Sequence, residues 1–212
     1  MIRSIAGLST VALVVAVSLF GCGSAAGPRP LESPAATGDR TLTSGPSTAV
    51  STRRTPDAAA EASRQVTAAQ ADYDHAYATA IAAPGNPAQT GPLLALYIEG
   101  SPARTAMANR LRVLADQKYA GRRGVAGYYV IERITVSDDS SAGQAVATVC
   151  TYDDGIVYDT ANRSVDGKEI VVNDVAVSAR TDFLWKHQGG SWKLDGGTVI
   201  GSWKGENRCP PR

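Results

Sequence analysis

The side chains with the most chemistry to offer are the cluster Asp72-Tyr73-Asp74-His75, with Tyr77 close behind it, and a lone carboxylate, Glu132. Residues four apart share one face of a helix, so Tyr73 and Tyr77 act together. Either they present two hydroxyl donors to a pocket with Asp74 at its edge, or they pack their rings in a core with the hydroxyls at the rim. Glu132 sits in a strand-like run and, by strict alternation, shares a face with Tyr128, Val130, Ile134 and Val136. On the core side its carboxyl would be desolvated and its pKa raised into the range of a usable base; the alternative is a salt-bridged or exposed glutamate. Asp153 and Asp154 stand directly before Gly155 and read as turn residues first. The two histidines, His75 and His187, are far apart and belong to no ligand-spaced cluster, so no metal site is expected. No Gly-x-Ser-x-Gly, phosphate loop or dinucleotide fingerprint occurs, and no cofactor is expected.

The thiol chemistry is sharper. Cys22 follows Leu19-Phe20-Gly21 and an apolar run from Ile5 to Phe20, with Arg3 as a positive start. That run has the length of a signal-peptide apolar region and falls short of the roughly 20 residues that span a bilayer. A small residue before a Cys, with Leu two positions further back, resembles the lipobox of bacterial lipoproteins. The resemblance implies diacylglycerol on the Cys22 thiol, cleavage before it, and a chain held on the extracytoplasmic face of the cell membrane. An uncleaved N-terminal anchor, or secretion after cleavage near Ala25-Ala26, are the alternatives. With Cys22 assigned to lipid, Cys150 and Cys209 remain as an even pair in an oxidising compartment, and a disulfide between them is expected. No basic cluster or His adjoins either one in sequence to activate a thiol.

Charge excludes one class of partner. The formal net charge is +1, and removing Arg3 with the leader brings the chain close to neutrality. Nucleic acid calls for a basic face, so none is expected as a partner. The partners that remain are the membrane, through the N-terminal lipid, and a protein or a small apolar ligand.

These groups need elements to place them. Residues 1–21 read as the lipoprotein signal peptide and 22–56 as a flexible linker, rich in Ser, Thr, Gly, Pro and Ala with no apolar period. The folded domain is expected over 57–212. Asp57 can cap a helix whose inner face is Ala62, Val66, Ala69, Tyr73, Tyr77 and Ile81, ended by Pro84 and Asn86-Pro87. A short apolar piece, Leu93 to Ile98, is stopped by Gly100. Ser101-Pro102 opens a further helix, carried by Ala103, Met107, Leu111 and Leu114 and ended by Gly121. Beyond Gly124 the period becomes 2. Strands are expected over Tyr128–Val136 and Gln144–Asp153, and Asp154-Gly155 reads as a tight hairpin into Ile156-Val157-Tyr158. Val171, Val175, Val177, Phe183 and Trp185 fall on one face of a single long strand, and Gly196-Gly197 marks a bulge in the last one. Helices first and then an antiparallel meander make a two-layer α+β fold.

The long helix with Tyr73 and Tyr77, the segment Val146 to Asp154, the pattern Thr181 to Trp185 followed by Gly-Gly and Ser191-Trp192-Lys193-Leu194, and the late Cys209 together resemble the nuclear-transport-factor-like superfamily. This is the cone fold shared with SnoaL-like and ketosteroid-isomerase-like proteins. The resemblance spans Asp57 to Cys209 and implies helices packed on a curved antiparallel sheet. Enzymes of that family use an acid base with Tyr or protonated Asp donors inside the cone, and no convincing match for either is legible here. Fold alone does not carry function. The expected role is therefore non-enzymatic, a lipid-anchored envelope protein that binds a protein partner or small apolar ligand. The alternative is a small isomerase or cyclase-type enzyme acting in the cone.

Overall fold

The computed structural model describes residues 56–137 and 143–211. The expected signal peptide, Cys22 and the expected linker up to residue 55 lie outside the described residues.

The helices come first, each bounded by local chemistry. Helix α1 runs Pro56–Ala82 and buries Ala62, Val66, Gln70, Ala76 and Ala80. Tyr73, Tyr77 and Ile81 pack half-buried beside them, so the core stripe is the expected one widened by Ala76, Ala80 and the polar Gln70. Asn86 ends the first helix region and starts the next. Its side chain accepts from the Ala88 amide at 3.0 Å, and Pro87 occupies the first turn of α2, Pro87–Ala95. The short apolar piece Leu93 to Ile98 is thus divided, Leu93 to Ala95 ending α2 with Leu93 fully buried and Leu96 to Ile98 following the helix. Ser101 caps α3, Pro102–Asp116, by accepting from the Arg104 amide at 3.1 Å.

Helix α3 stops at Asp116, five residues before the glycine expected to end it. Lys118 adopts φ 59°, which breaks the helix, and the chain turns directly into strand β1, Tyr119–Arg122. Gly121 lies inside that strand. A Cβ there would sit 3.0–3.2 Å from Ile81, so glycine is what lets β1 lie against α1.

The remaining strands are β2 (Tyr128–Val136), β3 (Gln144–Asp153), β4 (Ile156–Arg163), β5 (Glu169–Asn173), β6 (Val177–Gln188) and β7 (Ser191–Lys204). They divide into two antiparallel sheets, β2-β3-β6-β7 and β1-β4-β5. This corrects two expectations. Asp154-Gly155 is not a hairpin turn, because β3 and β4 do not pair; it is where the chain leaves the large sheet for the small one. The long strand expected from Val171 to Trp185 is two strands in different sheets, parted at residues 174–176. Side-chain alternation continues across such a break, which hides it from the pattern.

The large sheet carries the core. Ala145, Ala147 and Val149 of β3, Trp185 of β6, and Trp192 and Leu194 of β7 face α1 to α3 and are buried. Trp192 donates its Nε1–H to Gln65 Oε1 at 2.9 Å, fixing α1 to β7. The segment after α2 is stitched to β7 by paired backbone bonds, Ile98 N to Leu194 O at 3.0 Å and Leu194 N to Leu96 O at 2.8 Å. Two register shifts bend β6 against β7, one of them between Leu184 and Trp185, opposite Asp195 and beside the expected Gly196-Gly197 bulge. The result is the α+β layout expected from the sequence, helices packed on one face of a curved antiparallel sheet.

On the other face Cys150 and Cys209 form the expected disulfide, with Cα atoms 5.4 Å apart. Cys150 is fully buried, because the tail after β7 lies over it. Ser178 Oγ donates to the Glu206 carbonyl at 2.8 Å and accepts from the Arg208 amide at 3.2 Å. The Tyr128 hydroxyl donates to the Cys209 carbonyl at 3.4 Å and the Pro210 carbonyl at 3.2 Å.

Candidate functional site

Between α1, α3, the concave end of the large sheet and the small sheet lies a cavity of about 460 Å³. Its apolar wall includes Ile81, Met107, Leu114, Val177 and Phe183, and its polar groups come from α1 and from several strands and loops around it. Residues 70, 73, 74 and 77 recur at helical spacing, so one face of one helix presents Gln70, Tyr73, Asp74 and Tyr77 together.

Tyr73 sits at the centre of an aromatic group, 5.6 Å from Phe183, 6.1 Å from Tyr97 edge-on and 6.2 Å from Tyr77. Its hydroxyl oxygen accepts from the Tyr97 hydroxyl at 3.4 Å. Burial pushes the Tyr73 hydroxyl well above the usual tyrosine range, and the neighbouring Tyr97 and Tyr77 add to this. It is therefore a neutral donor at any physiological pH. In the unfolded chain this proton leaves near pH 10 while the native state keeps it, so stability falls as the pH rises beyond about 10 and is unaffected below. Tyr73→Phe is expected to shallow the fall in melting temperature between about pH 10 and 11.5; equal slopes for the two proteins would refute the linkage.

Asp74 is at the mouth and is held there. Arg123, just past β1, donates to both of its oxygens at 2.6 and 2.8 Å. The pair also raises the Arg123 pKa, chiefly through its hydrogen bonds to Asp74. Arg110 of α3 lies 5.6 Å over the Tyr77 ring. Asp153 also lines the cavity, but it is exposed and its Oδ1 accepts from the Gly155 amide at 2.8 Å, where the chain crosses from one sheet to the other and makes no hairpin.

Glu132 is elsewhere. A register shift in β2 between Ile131 and Arg133 reverses the alternation. The concave face carries Tyr129 and Ile131 before the shift and Ile134 and Val136 after it, all packed on the core. Glu132, at the irregularity, pairs instead with Arg180 through two bonds of 2.7 Å. Arg180 in turn lies 5.9 Å over the Trp203 ring. The salt-bridged alternative describes it, and it does not line the cavity. The assumption of unbroken period 2 placed it on the wrong side.

His75 is exposed on α1, and His187 is exposed with its ring 5.4 Å from Trp192. Among the described residues no group of His, Cys, Asp and Glu could hold a metal ion. No helix of the described residues is long and apolar enough to cross a membrane.

The residue that sequence reasoning missed is Gln70. It lines the cavity, is 3% exposed, and its Oε1 has no hydrogen-bond partner among the described residues. The signal was present in the sequence. Gln70 is four residues after Val66 and three before Tyr73, a polar residue inside an apolar stripe. The stripe can also be drawn through Ala69, which hides it.

Several solved structures are similar in layout. The intermembrane-space region of the chloroplast protein ARC6 matches at 13% identity, over 64% of this chain and 94% of that one, with TM-score 0.48. Aln2 from a Streptomyces species matches at 13% identity over 69% and 92%, with TM-score 0.39. A type 2 hexachlorocyclohexane dehydrochlorinase, LinA, matches at 14% identity over 72% and 98%, with TM-score 0.37. At these TM-scores the likeness carries no argument about what this chain binds or does. No protein-family model and no curated protein matches the chain.

Proposed function

We propose that this protein is a lipid-anchored, extracytoplasmic binding protein that holds a small, largely apolar ligand in the cavity beneath α1. The observation that supports it is the cavity itself. Its volume, about 460 Å³, falls in the range of small-molecule sites, and its walls mix apolar side chains such as Ile81, Met107 and Phe183 with convergent polar groups in about equal share. Binding is favoured over catalysis by the state of the carboxylates. Asp74 is committed to Arg123 and Asp153 to its own turn, so neither lining acid is placed as a free base. The lipid anchor rests on Cys22 and the segment before it, and the tether on the composition of residues 22–56.

Pyrene tests the binding reading. It is an uncharged hydrocarbon that such a cavity accommodates, and its vibronic band ratio reports the polarity around it. Titrated into the full chain carrying Cys22→Ser, purified without detergent, it is expected to bind saturably at one site in an apolar environment. Ala179 lines the cavity from β6, so Ala179→Trp fills part of it. That variant is expected to weaken pyrene binding by about tenfold or more, a change of about 1.4 kcal/mol, while leaving the melting temperature within a few degrees. Absent or non-saturable binding in the parent chain would overturn the reading. Turnover of a small carbonyl or cyclic substrate, lost in Ala179→Trp, would move it to the isomerase or cyclase class.

A further inference from the structure

We infer that the cavity takes an amphipathic carboxylate, an apolar tail with one anionic head, and that Arg110 reads the head. This rests on the binding role proposed above and goes on to name the ligand class. Arg110 stands on α3 with Met107 three residues before it and Leu114 four after, and all three line the cavity. Positions at that spacing share one helix face, so the guanidinium rises from an apolar stripe. Of the three arginines in the lining, two are already neutralised. Arg123 donates to both oxygens of Asp74, and Arg122 to both oxygens of Glu169. Arg110 has no carboxylate partner among the described residues and lies 5.6 Å over the Tyr77 ring. Asp153, the other carboxylate of the lining, acts on Arg123.

A guanidinium keeps its charge at any physiological pH, so Arg110 calls for an anion or for water. Burial raises the Tyr73 and Tyr97 hydroxyls, and the Arg110 charge opposes that in both, so its field extends into the aromatic group. A positive field there favours a negative head and repels a positive one. Arg110 is exposed, so the head sits at the rim, and the tail lies among the apolar side chains of the wall. One uncompensated charge matches a carboxylate, whereas a phosphate monoester carries up to about two at neutral pH. Guanidinium and carboxylate also fit each other in shape, through two parallel hydrogen bonds.

The test is displacement of pyrene from the full Cys22→Ser chain at low ionic strength by two molecules of nearly equal tail and opposite charge, decanoate and decylammonium. Decanoate is expected to displace at about a tenfold lower concentration, because attraction of one head and repulsion of the other both enter the ratio. In Arg110→Gln the two are expected to fall within about twofold of each other, and in Arg110→Glu their order is expected to reverse. Both displacers are read in the same variant, so a general change in its affinity cancels in the ratio. Equal displacement in the parent chain, or a preference for decylammonium, overturns the inference without any variant. A preference for decanoate that survives Arg110→Glu also overturns it and moves the head group to Arg122 or Arg123. Failure of pyrene to bind saturably overturns the binding role itself, whereas saturable binding without a head-group preference overturns only the assignment to Arg110.

Discussion

Reduction of the Cys150–Cys209 bond is expected to lower the melting temperature of the domain by roughly 10 °C. The bond closes a loop with a sequence separation of 59 residues. In the chain-entropy account a loop of that size is worth about 4 kcal/mol, and each kcal/mol moves the transition of a domain this large by about 2–4 °C. The structure adds a second contribution. The tail after β7 covers Cys150 and Ser178, which are both fully buried, and Ser178 commits its hydroxyl to the tail backbone. Freeing Cys209 lets that cover lift and exposes the outer face of β3 and β6. The helices and the concave core remain, so the domain should stay folded at room temperature. Calorimetry of the oxidised chain, the reduced chain and Cys209→Ser checks this; the last two should agree. A melting temperature unchanged by reduction, or two free thiols from Cys150 and Cys209 in the unfolded non-reduced chain, would refute the constraint.

The proposed anchor predicts an all-or-none result. Expressed in a host that processes bacterial lipoproteins, the chain is expected to enter the detergent phase of a Triton X-114 partition, and Cys22→Ser to leave it. A diacylglycerol thioether brings two acyl chains, and two suffice for stable anchoring where one is marginal. Serine offers no thiol to alkylate. Detergent-phase partition of Cys22→Ser would refute lipidation and favour an uncleaved apolar anchor, while aqueous partition of the parent chain would favour ordinary secretion.

Much of the fold was legible because its signals are local. Ser101-Pro102 specifies a helix start through a cap and a preset φ, and the cap is found where those residues stand, whereas Asn86-Pro87, read only as a helix end, also caps α2. The Tyr73-Tyr77 pair was recognisable from spacing alone, and both line the cavity. The disulfide followed from the even pair left once Cys22 is assigned to lipid. Less was legible where the deciding contact is remote. Gly121 reads as a helix end until Ile81 is seen packed against it. Gln70 reads as an ordinary helix residue until the cavity gives its amide a location.

The sequence by itself therefore determined that helices precede strands, the start of α3, the α+β class and the cysteine pair, since each depends on a residue and its near neighbours. Only the tertiary structure decided how the strands divide into two sheets, because pairing is a contest between segments distant in the chain. It also decided the face of Glu132. A period-2 pattern reverses at one irregular residue, and the partners that place that irregularity, Thr148 and Val149 on β3, lie on another strand. The cavity is the clearest case. It exists in the space left between α1, α3 and two curved sheets, a volume to which no single segment corresponds.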